Sequence, residues 1–339
     1  MIGIGKVRNG LRYGLAFVLG LACMAGSPRA GHAQTPPTLS LSQLAPAVPQ
    51  FSATINVVCG DLQKTPCAIA LPKMAHYATQ SGLTMVPVSS GGSIATAQIG
   101  VCPGVVPVGI GMADGFDAVQ RLPQCGTAFK VIGGPLFPFF GYLIVAATNP
   151  AHSLDDLVNT VAPGNTVNIS DGAVGTGSQI TFSNMLAANH SYKRVISEEA
   201  ENAATSLKDV TSGKLDGYFV MDSPGSPLIA KVIGQVDAAG KPLFKFLDVR
   251  PGQDFYGLRG VDKQLLYQEV TIDPGIYGFG ATKTVSTNGE IIVNTAWANN
   301  PANAQTIAIL VQAQDQAEAS ILAASHSPGD WTGQHSTRN

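Results

Sequence analysis

Thr166-Val167-Asn168-Ile169-Ser170-Asp171-Gly172-Ala173-Val174-Gly175-Thr176-Gly177-Ser178-Gln179 runs from a β-branched stretch through a glycine-rich turn into an apolar segment, Gly177–Ala188. Strand, turn and helix in that order open a βαβ unit, the building block of α/β folds. Glycines permit unusual backbone angles, so consecutive N–H groups converge into a concave nest. At a helix N-terminus the positive end of the helix dipole reinforces that nest, making a seat for carboxylate or phosphate. Thr176 and Ser178 add hydroxyls to the backbone donors. Gly175, Thr176, Gly177 and Ser178 are therefore candidate ligand-binding residues, set against the plainer reading of a tight strand–helix turn.

The same grammar extends outward. Short apolar runs predict strands at Thr54–Val58, Thr84–Val88, Val105–Ile110, Phe129–Ile132 and Tyr142–Ala146, then at Arg194–Ile196, Gly217–Val220 and Leu243–Leu247. Helical patterns at Ala68–Gln80, Ser153–Asn159, Glu198–Ser212 and Ser226–Ile233 fall between them. Alternation of this kind implies an α/β fold with mostly parallel sheets covered on both faces. Two more hydroxyl-rich turns follow strands: Ser89-Ser90-Gly91-Gly92-Ser93 and Met221-Asp222-Ser223-Pro224-Gly225-Ser226. Ligands of open α/β sheets bind beyond the carboxyl ends of strands. Ser90, Gly92, Ser93, Asp222 and Ser223 accordingly join the candidate site, and three such turns suggest a cleft between two domains. Toward the C-terminus, Thr271–Phe279 is strand-like, Ile291–Trp297 is apolar, and Asn303–Ala324 is the longest helical stretch.

Residues 1–33 read as a secretory signal. Lys6, Arg8 and Arg12 precede an apolar core, Gly14–Gly26, too short for the roughly 20 residues of a membrane span. Gly31-His32-Ala33 places small residues ahead of a cleavage point after Ala33. The expectation is a soluble periplasmic chain, with the Pro- and Ser-rich residues 34–50 as a flexible lead. Cleavage removes four cations and no acid, taking the formal charge from −2 to −6 over 306 residues. It also leaves four cysteines: Cys59, Cys67, Cys102 and Cys125. An even number in an exported chain favours disulfides. Of the three pairings, the sequential loops Cys59–Cys67 and Cys102–Cys125 are expected.

Composition excludes several classes. The chain is 45% hydrophobic and only 12% charged, unlike a disordered protein. No Lys/Arg cluster supplies a nucleic-acid footprint. Gly109-Ile110-Gly111-Met112-Ala113-Asp114-Gly115 misses dinucleotide-binding spacing by one residue, and the 172–178 turn lacks the lysine of a P-loop. The six histidines form no metal-ligand pair, so neither metal nor cofactor is expected. Asp155-Asp156 and Glu198-Glu199 sit at expected helix starts, where carboxylates complement the dipole.

In this order, the features resemble the TAXI family of periplasmic solute receptors serving TRAP transporters. Gly91-Gly92-Ser93 is similar to the family's Gly-Ser turn, and Val106–Asp114 loosely echoes the segment that follows it. Leu143–Ala147 through Ser153–Leu157 resembles the family's strand and the helix start that follows it. Gly172–Ser178 resembles a Gly-x-x-Gly-Ser-Gly-Thr loop with Ser and Thr exchanged. The best match is Ser206-Leu207-Lys208-Asp209-Val210-Thr211-Ser212-Gly213-Lys214-Leu215-Asp216-Gly217-Tyr218-Phe219, followed by the Pro-containing Ser223–Pro227. Ile272–Gly278 and His326–Gly329 complete a resemblance covering roughly residues 52–330. One departure stands out: Cys59–Cys67 occupies the place of the family's Gly-Gly-Thr-Tyr turn.

The resemblance implies a periplasmic-binding-protein-like (type II) fold: two lobes, each with a mainly parallel sheet, around a ligand cleft. Lobe 1 would hold 51–141 plus 249–339, and lobe 2 would hold 142–248. It implies a monomeric, non-enzymatic receptor for an organic acid or amino acid, delivering its solute to TRAP-type membrane subunits. Tyr277 would flank the ligand. Arg121, Arg194 and Arg259 are candidates to clamp a carboxylate; alternatively, Asp222 pairs with the amine of a neutral or zwitterionic solute. The rival readings are a receptor of the same fold for an ABC importer or sensor kinase, and an exported enzyme on a two-lobed scaffold.

Overall fold

The computed structural model describes residues 51–62, 64–199, 202–273 and 281–326. The signal segment, the 34–50 lead and Tyr277 lie outside them. In chain order the strands and helices are β1 (Ala53–Val58), α1 (Leu71–Gln80), β2 (Leu83–Val88), α2 (Ser93–Ala95), β3 (Val108–Met112), α3 (Ala113–Gln120), β4 (Phe129–Ile132) and β5 (Pro138–Ala146). Next come α4 (Leu154–Thr160), β6 (Val167–Gly172), α5 (Gly177–Ala188), β7 (Val195–Glu199), α6 (Ala203–Thr211), β8 (Gly217–Asp222), α7 (Pro227–Ile233) and β9 (Phe244–Leu247). Then follow α8 (Gln253–Tyr256), β10 (Gln268–Ile272), β11 (Thr282–Asn294), α9 (Thr295–Ala298) and α10 (Ala304–Ala324).

The sheet order is β2-β1-β3-β11-β5-β8-β6-β7, with β4 and β10 also paired to β11 and β9 to β5. Two parallel trios stand out. β1 pairs in parallel with β2 and β3, and β6 with β7 and β8. Each trio meets an antiparallel strand, β11 on β3 and β5 on β8. The sheet is therefore mixed at its centre and parallel on its flanks. β8, GYFVMD, is buried at every position, as expected of a strand covered on both faces.

Helix starts follow the expected chemistry. Ser153, Thr176, Asn202 and Ser226 each accept a backbone N–H at the N-terminus of α4, α5, α6 and α7, a cap worth about 1 kcal/mol. Pro227 follows its cap at the first helical position of α7, where the missing N–H costs nothing. The principal core joins Met74 and Ala78 of α1 with Leu310, Ala313 and Ala317 of α10 against Val57, Ile110 and Ile291 of the sheet. Each large aliphatic side chain there contributes about 1.5–3 kcal/mol through burial. Phe182 of α5 stacks on Phe219 of β8 with centroids 5.0 Å apart. Disulfides join Cys59 to Cys67 and Cys102 to Cys125. Among the described residues no helix is long and apolar enough to cross a membrane.

The structure corrects three sequence expectations. Glu198 and Glu199 end β7 rather than start a helix, because Ser170 and Gly172 of β6 pair with them in parallel register; α6 begins at Ala203. The third strand starts at Val108, after Pro107, which has no N–H for a ladder. The apolar Ile291–Val293 is only the end of a strand that begins at Thr282. Its first half buries hydroxyls at Thr284, Ser286 and Thr287, and Thr284 donates to the Gly141 carbonyl.

Candidate functional site

The carboxyl ends of β1, β2, β3, β6 and β8 open onto one cavity of about 810 Å³. Its walls come from Cys59–Asp61 and Lys64 after β1, Gly91–Ser93 after β2, Gly172 at the end of β6, and Ala173 and Thr176–Ser178 after it. Ile110–Met112 of β3 and Met221 of β8 lie at its floor. The cavity falls within the ~300–1,000 Å³ typical of sites for drug-sized ligands.

Two turns expected to bind ligand meet directly across this opening. The Ile94 amide donates to the Gly175 carbonyl at 3.2 Å. A Cβ on Gly92 would stand 2.8 Å from that carbonyl oxygen and 3.0 Å from Thr176 Cα, so only glycine allows this approach. Gly175 adopts φ +82°, the left-handed region open to glycine.

Hydroxyls in these turns serve the scaffold. Ser93 Oγ accepts from the Met112 amide at 3.0 Å, and Ser178 Oγ accepts from the Met221 amide at 2.9 Å. Thr176 Oγ1 accepts from the Gln179 amide while Gln179 Oε1 accepts from the Gly175 amide at 2.8 Å, a close relative of the capping box. Ser90 donates to the Gly92 carbonyl or shares a hydrogen with Thr96, bracing its own turn. The amides of Gly177 and Ser178 belong to the first turn of α5, which a helix cannot satisfy internally, and both residues line the cavity.

Asp222 and Ser223 are fully buried behind the cavity wall. Asp222 Oδ1 accepts from the Thr65 hydroxyl at 2.7 Å and the Ser223 amide at 2.9 Å, and the Thr65 and Ser223 hydroxyls share a hydrogen at 2.5 Å. Burial raises the Asp222 carboxyl above the usual carboxylate range, an effect opposed by nearby Lys64 and by the Thr65 hydrogen bond. This residue ties the β8–α7 junction to the β1–α1 junction. The three arginines are engaged elsewhere: Arg121 with Asp117, Arg194 with the Val161, Ala162 and Asn165 carbonyls, and Arg259 with the Lys263 carbonyl. None of them lines the cavity.

Two features escaped sequence reasoning. Asp114, two residues past β3, is buried and accepts from the Thr181 hydroxyl of α5 at 2.5 Å and the Tyr267 hydroxyl at 2.9 Å. Burial pushes its carboxyl up to about 6, with those hydrogen bonds pulling the other way. Its position just beyond an apolar strand was the available signal. The second feature is cationic. Lys64, Lys208 and Lys231 line the cavity against one acid, Asp61. Lys208 and Lys231 come from α6 and α7, whose convergence no local pattern reveals.

Comparison with protein-family models and with curated proteins finds no match. Among solved structures, the periplasmic binding protein BugD is similar at 15% identity, covering 80% of this chain and 86% of its own, with a TM-score of 0.50. An arginine third transport system periplasmic binding protein from Legionella pneumophila gives 11% identity, coverage of 81% and 99%, and a TM-score of 0.48. A TctC solute binding protein from Polaromonas gives 12%, coverage of 81% and 88%, and 0.46. The chain thus has the type II periplasmic-binding-protein fold, two α/β lobes with a cleft between them.

Proposed function

We propose that this chain is an exported solute-binding receptor that captures a small carboxylate-bearing solute between its lobes and delivers it to a TRAP-type membrane transporter. The observation that carries the reading is the cavity at the strand carboxyl ends, walled by turns from both parallel trios. Lobe 1, 51–141 plus 249–339, contributes Gly91–Ser93 and Lys64; lobe 2, 142–248, contributes Thr176–Ser178. The solute's carboxylate meets the Gly177 and Ser178 amides at the positive end of α5, with Lys64 adding charge. A ligand touching both lobes favours the closed arrangement by its differential affinity for it. Export rests on the N-terminal signal, and the transporter class on the family resemblance.

Titration calorimetry of the purified chain against organic acids and amino acids tests the reading. A carboxylate that binds the parent chain should lose at least tenfold in affinity in Ala173→Trp, which fills the cavity from a half-buried turn position. Failure of every acid and amino acid to bind would sink the receptor assignment.

A further inference from the structure

The cavity does not stop at the facing turns. It continues between α6 and α7, where Ala204, Lys208 and Thr211 recur at i, i+4 and i+7 on α6, and Leu228 and Lys231 at i and i+3 on α7, with Gln235 just past the end of α7. Leu207, Leu243 and Phe244 supply an apolar floor, which is the outer side of the core cluster under these helices. Lys208 and Lys231 are exposed at the rim, and neither forms an ion pair among the described residues. A free amino acid held at the facing turns would leave this annex to water.

We infer that the annex between α6 and α7 is a second ligand subsite, and that the solute is an elongated dianion with an apolar body. This rests on the receptor reading above and deepens it. One acidic group sits at the Gly177 and Ser178 amides near Lys64. The apolar body crosses Leu207, Leu228 and Leu243, and the second acidic group reaches the Lys208–Lys231 rim. The charge count agrees: three lysines against Asp61 leave the lining two charges positive, complementary to a dianion. The apolar floor adds length selectivity, since each methylene withdrawn from water is worth about fourfold in affinity.

The test is calorimetry of the purified chain with α,ω-dicarboxylates from succinate to sebacate and with octanoate as the singly charged control. Suberate should bind at least tenfold tighter than succinate and tenfold tighter than octanoate. Lys208→Gln/Lys231→Gln, both at exposed positions, should bring suberate to within about twofold of octanoate. Ala204→Trp, also exposed, should reduce the suberate-to-succinate ratio to near one by filling the annex. Suberate no tighter than succinate, or undiminished in the double lysine variant, overturns the annex while leaving the receptor reading intact. No binding by any carboxylate overturns both.

Discussion

The trio β2-β1-β3 with its antiparallel neighbour β11 and the trio β7-β6-β8 with its neighbour β5 are built alike. In each, a serine hydroxyl accepts the amide of the methionine near the end of the third strand: Ser93 from Met112, and Ser178 from Met221. In each, a buried aspartate follows that methionine and accepts a hydroxyl hydrogen from a threonine of the other group. Asp114 takes it from Thr181, and Asp222 from Thr65. The groups differ in how they fix their loops. Both disulfides belong to the first group, whereas the glycine turn of the second is held by hydrogen bonds alone. The two groups thus present to the same cavity one wall stapled by the Cys59–Cys67 disulfide and one wall without a disulfide, and Lys208 and Lys231 lie on the unstapled side.

Breaking the staples should produce the largest effect. Loop-closure entropy assigns about 3.4 kcal/mol to Cys102–Cys125, with a sequence separation of 23, and about 2.6 kcal/mol to Cys59–Cys67, with a separation of 8. Replacing all four cysteines by alanine should lower the unfolding free energy in urea by about 6 kcal/mol. Hydrogen exchange should quicken at β1–β3 before β6–β8. Equal loss of protection in both groups would remove the distinction between a stapled and an unstapled wall.

The paired aspartates make a comparison that pH can open. Asp114 has a folded-state carboxyl raised to about 6 from 3.8, so the folded chain binds its proton more tightly than the unfolded chain does. Stability therefore falls as pH rises through that window, by about 3 kcal/mol. The Asp222 shift has the same direction and steepens the fall. Urea unfolding midpoints between pH 4 and 7 should show the decline, and Asp114→Asn should flatten part of it. A profile equally steep in Asp114→Asn would assign the titration to other groups.

Where local chemistry decides structure, the sequence was readable. α5 runs Gly177–Ala188 as its pattern predicts, because Thr176 caps it. The first half of β11 was not readable: its Thr and Ser residues carry no apolar signal, and they become core only when β5 and β10 pair alongside them. The same limit applies to the site. Gly92, Ser93 and the 176–178 turn line the cavity because strand ends deliver them there. Asp222 looked like a ligand contact because a polar turn is normally solvated, but Thr65, far away in sequence, covers it. Lys208 and Lys231 become neighbours of one cavity only through the packing of α6 and α7.

The matched serines should respond alike. Ser93→Ala and Ser178→Ala each strip the acceptor from a buried methionine amide, at a cost of about 1–3 kcal/mol for an unsatisfied buried donor. We expect about 2 kcal/mol for each in urea unfolding, with the two agreeing to within about 0.5 kcal/mol. A large disparity would mean that the resemblance between the two groups is geometric and not energetic.

The smallest effect belongs to the glycine turn itself. Gly175→Ala places a Cβ at φ +82°, where the nearest non-neighbouring atom is Ile94 Cβ at 3.8 Å. The penalty is therefore backbone strain without collision, about 1 kcal/mol. Gly92→Ala should cost more, because its Cβ would press on the Gly175 backbone at 2.8 Å and force the two walls apart. The separation of these effects shows up in ligand binding as well as in stability. Gly175→Ala leaves the Gly177 and Ser178 amides in place and should shift carboxylate affinity by less than about threefold, whereas Gly92→Ala widens the seat and should weaken it further. If Gly175→Ala proves the more damaging substitution, the unstapled wall is held by the turn's own backbone geometry and not by its contact with Gly92.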